Sequence, residues 1–251
     1  MIPYLIVCPL VFLAGLVDSI AGGGGLISLP AYMIAGVPAH VALGTNKTSS
    51  SMGTTVSMIR LAKHGYLKGM LLTAACVAVA AVTGSALGAH LALMVPDSVI
   101  RHMMIVVLPV TAYYVLRRKN MESTEKLGEI SKQKMAAICI GAAFFIGGYD
   151  GFYGPGTGTF LLLILTGAAH MDTRNASALT KVTNLSSNLA AMATFVLTGN
   201  VNFRLGVAAG LCSIAGNYLG AGLVVKSGQR IVRPVVLVVL GILFVKILSG
   251  N

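Results

Sequence analysis

Long uncharged stretches dominate this chain. Residues 69–96 contain no Asp, Glu, Lys or Arg, and neither do 182–203 or 205–225. The first 59 residues carry only Asp18 and Lys47. A helix needs about 20 mostly apolar residues to cross the hydrocarbon core of a bilayer, and several such stretches fit here. Of the 251 residues, 56% are apolar and 10% charged, against about 25% charged in an ordinary soluble domain. That composition excludes a typical soluble globule, and it excludes disorder, which requires few apolar residues. The sequence predicts an all-α polytopic membrane protein set in a lipid bilayer. No basic residue precedes the first apolar run, so the N-terminus does not read as a secretory signal. The net charge of +11 does not point to nucleic acid. Six of the 18 basic residues fall in 117–134 and the others are scattered between apolar runs, with no aromatic-studded basic face. Cys8, Cys76, Cys139 and Cys212 lie inside apolar segments without CxxC spacing and read as reduced packing residues.

The hydrophilic segment RRKNMESTEKLGEISKQK, residues 117–134, divides the chain into 1–116 and 135–251, and the two parts open alike. DSIAGGGGLISLP at 18–30 faces DGFYGPGTGTFLL at 150–162, matching Asp18 with Asp150, Gly22 with Gly154 and Gly24 with Gly156. GTNKTSSSMGTT at 44–55 faces ALTKVTNLSSNL at 178–189, matching Lys47 with Lys181, Ser50 with Asn184 and Thr54 with Asn188. Duplicated halves are a signature of secondary transporters. The expected organisation is a first transmembrane repeat (1–116), a basic linker (117–134) and a second repeat (135–251). Each repeat is a broken segment followed by three helices. The helices fall at 3–17, 26–37, 40–62, 69–93 and 97–116, then at 135–148, 158–168, 173–197, 203–223 and 230–248. The breaks are the glycines at 22–25 and the Gly/Pro run at 154–158, where helix is disfavoured.

A single helix over 3–37 would be roughly 50 Å long, against a hydrocarbon core of ~30 Å. Each broken segment therefore reads as a re-entrant hairpin of two short arms meeting near the midplane. Loop charge agrees. Lys47 and Lys181 aside, inverted halves place 13 basic residues on one side and three on the other. Parallel halves give 11 and five. The positive-inside rule favours inverted repeats with the N-terminus outside and the 117–134 loop cytoplasmic.

The second arms, starting near Leu26 and Gly158, direct unpaired N–H groups and a partial positive charge toward the breaks. Two such ends converging at mid-membrane would make an anion site. Lys47, Ser50 and Thr54, and likewise Lys181, Asn184 and Asn188, recur at i, i+3 and i+7 and share a helix face. They offer ammonium, hydroxyl and amide donors suited to an oxyanion. The other reading of each lysine is snorkelling from its helix start to the headgroups. Asp18 and Asp150 precede the breaks. Burial disfavours a charged carboxylate, so they are candidates for carrying H+, or else they cap a helix end or pair with Lys47 and Lys181. The five histidines sit near predicted helix ends without metal-ligand spacing. HExxH and GxSxG are absent, so no catalytic constellation, metal site or cofactor is expected. Asp97, Asp172 and Arg174 read as helix-start residues.

These paired motifs, DSIAGGGGLISLPAYMIAGVPAHVALGTNK and GPGTGTF…ALTKVTNLSSNLAAMATFVLTGNV, resemble the two halves of the sulfite exporter TauE/SafE family over nearly the whole chain. The resemblance implies a bacterial or archaeal inner-membrane permease, not an enzyme, that moves sulfite, sulfonates or other sulfur-containing organic anions, usually outward. It also implies that Gly22, Gly23, Gly24, Gly25, Gly154, Gly156 and Gly158 belong to the substrate site, together with Thr45, Asn46, Lys47, Thr180 and Lys181. The second cluster departs from the first by carrying Pro155 and Thr157, so the two half-sites need not be equivalent. A small anion is the expected partner, moved by alternating access. A passive anion channel with the same midplane site is the alternative. The sequence gives no oligomeric state.

Inverted topology makes a direct prediction. Reporter fusions after residues 65, 125 and 227 read cytoplasmic, and a fusion after residue 200 reads external; the opposite result at 200 and 227 restores parallel repeats.

Overall fold

The computed structural model describes residues 1–117 and 130–227, and everything described there is helical or turn, with no strand. The helices are α1 (Ile2–Ala21), α2 (Gly25–Ile34), α3 (Ala39–Lys63), α4 (Leu71–Met94), α5 (Asp97–Arg117), α6 (Lys132–Phe152), α7 (Thr157–Gly167), α8 (Thr173–Leu197) and α9 (Phe203–Ser227). The expected helix at 230–248 and most of the 117–134 segment lie outside the described residues. Among the described residues, four helices are long and apolar enough to cross a membrane: Ile2–Ile20, Leu71–Met94, Lys132–Phe152 and Phe203–Leu223. α3 and α8 have the length but are too polar to face lipid, and both bury their polar stripes inside the bundle.

The breaks fall where the glycines predict, but the first arms are longer than expected. α1 runs on through Asp18 to Ala21, and α6 runs through Asp150 to Phe152. Only the second arms are short. The aspartates do not end the helices because each carboxylate is matched by a lysine, as shown below. α1 stops only at Gly22, whose φ of 72° lies in the left-handed region and whose N–H closes on the Asp18 carbonyl.

Helix directions follow from the contacts. Phe12 meets Gly216 and Leu16 meets Gly220, so α1 runs parallel to α9. Thr45 meets Gly206, Met52 meets Gly210 and Arg60 meets Gly222, so α3 also runs parallel to α9. α2 must therefore return between them, and α1–α2 is a hairpin whose outer ends share one side of the bundle. The start of α3 lies against the end of α8, with Gly44 on Phe195 and the Asn200 carbonyl. Its far end packs with Ala178 through Leu61. The two central helices are thus antiparallel.

The same contacts recur at a constant step. Phe12–Gly216 and Leu16–Gly220 become Phe144–Gly84 and Gly148–Gly88, each residue shifted by 132 positions. α9 packs on α1, and α4 packs on α6, so each part of the chain lends a helix to the other. Helix starts are tied by local caps. Asp172 accepts from the N–H groups of Arg174 and Asn175. Asp97 accepts from the Ala39 N–H and pairs with His40, fixing the start of α3 to that of α5. Arg174 donates through its backbone to the Asp172 cap.

The close crossings require glycine. A Cβ on Gly88 would lie 1.9 Å from the Gly148 carbonyl oxygen, whereas one on Gly141 would meet nothing within 4 Å. Gly88→Ala should lower stability by about 2 kcal/mol or more, through forced backbone separation. Gly141→Ala should be neutral or stabilising by up to about 1 kcal/mol. Thermal unfolding of the two variants in detergent checks the contrast.

Candidate functional site

The two breaks touch each other. A Cβ on Gly22 would lie 2.4 Å from the Gly158 carbonyl carbon, and one on Gly25 would lie 3.2 Å from Pro155 Cα. This backbone-to-backbone crossing sits beside the polar faces of α3 and α8 and borders a small, partly open polar cavity. Among its lining residues are thirteen that the sequence singled out: Asp18, Gly22, Gly24, Gly25, Asn46, Lys47, Ser50, Thr54, Asp150, Gly154, Gly158, Asn184 and Asn188. Residues of both polar stripes, Lys47, Ser50 and Thr54 of α3 and Asn184 and Asn188 of α8, thus border one space.

Neither lysine snorkels. Lys47 is 1% exposed, and its Nζ lies 2.8 Å from Asp150 Oδ2. Lys181 is 3% exposed, and its Nζ lies 2.7 Å from Asp18 Oδ2 and also donates to the Asp18 carbonyl. Each lysine takes its partner from the other part of the chain. Of the three readings of the aspartates, pairing with the lysines is the arrangement in this structure, and the formal charge of the four groups is zero. A buried ammonium without such a partner would cost several kcal/mol.

The two pairs are not alike. Asp150 is 5% exposed and accepts three bonds: from Lys47, from Thr157 Oγ1 at 2.9 Å and from Ser187 Oγ at 2.6 Å. The Asp18 carboxylate accepts from Lys181 alone among the described residues, and its side chain is 17% exposed. The positions matching Thr157 and Ser187 in the first part are Gly25 and Gly53, which have no hydroxyl to give.

Other expected site residues sit elsewhere. Thr45 Oγ1 accepts from the Asn202 N–H at 2.9 Å, so it ties α3 to the start of α9. A Cβ on Gly23 would make only ordinary contacts with Leu26, Val17 and Thr159. Gly156 precedes α7 at a φ of 89° and, like Gly23, Thr45 and Thr180, is not on the cavity wall. Lys181 stands behind Asp18, off that wall. The amide donors at the second arms are also fewer than expected. Leu26 N–H bonds the Gly23 carbonyl, and Ile27 and Ser28 N–H bond that of Gly24. Tight first turns consume groups that an ideal helix start leaves open.

Two side-chain amide oxygens on the wall lack a hydrogen-bond partner. The Oδ1 atoms of Asn46 and Asn184 are buried without a hydrogen bond, and so is Thr180 Oγ1. Buried polar atoms rarely stay unpaired, so such groups beside a cavity mark a place for a polar occupant. The sequence reading missed Ser28, Ser213 and Asn217, which also line the cavity. Ser213 and Asn217 stand at i and i+4 within the uncharged run 205–225, and that spacing was the available signal. Among the described residues no group of three His, Cys, Asp or Glu is placed to hold a metal ion.

Helices of membrane-spanning length, two crossing helix breaks and a polar cavity with balanced buried charges define a polytopic membrane transporter. The chain matches the family model described as Sulfite exporter TauE/SafE over residues 7–247, and it belongs to that family. It is 32% identical over 238 residues to a probable membrane transporter protein, ORF9, of Sinorhizobium sp, covering 95% of this chain and 89% of that one. It is 34% identical over 233 residues to a probable membrane transporter protein of Haemophilus influenzae, covering 90% and 87%. It is 33% identical over 246 residues to the probable membrane transporter protein YfcA of Escherichia coli, covering 95% and 87%. No solved structure gives a significant match.

Removing one member of the triply bonded pair should be costly. Lys47→Met strands the Asp150 charge and should destabilise by about 3–5 kcal/mol, the usual cost of breaking a buried pair. Lys47→Met with Asp150→Asn should recover most of that loss. A thermal-unfolding double-mutant cycle measures the difference.

Proposed function

We propose that this protein is a secondary transporter for a small anion, working by alternating access in the inner membrane. The observation that carries the reading is the cavity at the crossed breaks, walled by both polar stripes and bounded by two Lys–Asp pairs that each join the two parts of the chain. A bundle that rocks about such a site strains the pairs that join its two parts, so the making and breaking of the weaker-held Lys181–Asp18 pair can accompany a change of access. The hydroxyls of Ser50 and Thr54 and the side-chain N–H groups of Asn46, Asn184 and Asn188 supply neutral donors for the cargo.

The substrate class follows from the family description and is sulfite, a sulfonate or another sulfur-containing anion, moved outward. The proposed architecture is a pair of inverted repeats, 1–116 and 135–251, with the 117–134 segment cytoplasmic. The antiparallel α3 and α8 and the contacts recurring at a step of 132 support it. A passive channel would use the same site, but its flux would ignore the proton gradient.

Sulfite, thiosulfate and small sulfonates should raise the melting temperature of the purified protein, whereas neutral sugars should not. A ligand at 100 times its Kd adds about 2.7 kcal/mol to the folded state. In proteoliposomes, accumulation against a gradient should collapse with a protonophore; flux that never exceeds equilibrium supports the channel instead. Lys181→Met should raise the half-saturation concentration at least tenfold, equivalent to about 1.4 kcal/mol. Unchanged kinetics would remove Lys181 from the site.

A further inference from the structure

We propose that an anion and a proton bind together in one half of the site, with Asp18 taking the proton and Lys181 becoming the counter-ion of the anion. The inference rests on the anion-transport reading and assigns its coupling to one named pair.

The charge balance leads there. Lys47, Lys181, Asp18 and Asp150 sum to zero, and each ammonium already lies within 2.8 Å of a carboxylate oxygen. A monoanion entering this closed balance would leave one buried charge uncompensated, which a poorly solvated site does not tolerate. The balance is restored when one carboxylate takes up a proton from water and becomes a neutral acid. Its lysine stays an ammonium and turns to the anion. The site is then neutral before and after loading.

Geometry selects which carboxylate. Asp150 is held by Lys47, Thr157 and Ser187 and is almost fully buried, so protonating it would turn hydroxyl donors against an acid O–H. Among the described residues the Asp18 carboxylate has only Lys181 as a donor, and Asp18 lines the cavity. The described groups around it offer no other carboxylate than Asp150. α8 presents Lys181, α3 presents Lys47 and α6 presents Asp150. From the elements packed on α1, the cavity receives only the uncharged Ser28 of α2, Thr157 of α7 and Ser213 and Asn217 of α9. Asp18 is therefore the proton-carrying group, and the Lys47–Asp150 pair is a fixed strut between α3 and α6. A carrier built this way moves anion and proton in the same direction, so export proceeds only when the outward anion gradient outweighs an inward proton gradient.

The test uses the purified full-length chain and methanesulfonate, which stays singly charged between about pH 5 and 9 and so contributes no titration of its own. Calorimetric titrations in two buffers of different ionisation heat read the protons taken up per anion bound. The wild type should take up about one, and its affinity should fall about tenfold per pH unit on the alkaline side. Asp18→Asn, which fixes the neutral form, should take up none and keep its affinity at alkaline pH. Ser187→Ala, which removes one donor from Asp150 and leaves the charge count of the site unchanged, should retain the wild-type proton count and slope even if its melting temperature falls. Binding without proton uptake by the wild type overturns the proposal, as does a wild-type slope in Asp18→Asn. The wild-type proton count decides the matter if a variant fails to fold. If methanesulfonate does not bind, the count is made with sulfite, corrected by a blank for its own protonation. Binding of neither at any pH sinks the anion reading and this inference with it.

Discussion

Two buried ion pairs constrain everything else in this molecule. Lys47 and Lys181 are buried inside the bundle, and their charges are balanced by Asp150 and Asp18, which reach them from the opposite part of the chain. Such a pair gains little over a well-packed apolar substitute, but losing one member is expensive. The consequence is mutual dependence: neither part can hold its own lysine without the other. The lending of α4 to α6 and of α9 to α1 follows the same logic, because each closes a backbone approach that only a partner from the other part can fill.

Close packing and ligand binding are not rival roles for the glycine clusters. Gly22 and Gly158 are in direct backbone contact, and that contact joins the end of α1 to the start of α7 beside the cavity. A Cβ on Gly154 would lie 3.0 Å from Lys47 Nζ and 3.1 Å from Asp150 Oδ1, so the missing side chain there leaves room for the ion pair itself. The breaks are tolerated inside an apolar bundle because protein covers them. The cavity is what remains where coverage is incomplete.

Near-symmetry with a local departure gives the site two unlike sides. The contacts repeat at a fixed step, yet Thr157 and Ser187 stand where the first part has Gly25 and Gly53. Two hydroxyls convert one pair into a fully bonded strut, and two glycines leave the other with a single partner. The Lys47–Asp150 pair is therefore the more tightly bonded of the two.

The chain by itself determined the class, the helical character, the positions of both breaks to within a residue or two, and the faces of α3 and α8 that turn inward. These depend on local quantities: apolar length, glycine entropy and the 3.6-residue period. The lysines and aspartates were legible as charges that needed an explanation, with pairing as one option. Tertiary structure decided that the pairing crosses between the two parts, with Asp18 and Lys181 lying 163 residues apart. It also extended α1 and α6 past their aspartates, because neutralised carboxylates no longer end a buried helix. Thr45 moved from the site to a helix tie, and Ser213 and Asn217 joined the cavity from a helix that reads as almost wholly apolar. Each of these depends on which helix lies opposite, and no local pattern specifies that. The inequality of the two pairs stands between these cases: Thr157 and Ser187 are visible in the sequence, but only the fold points their hydroxyls at Asp150.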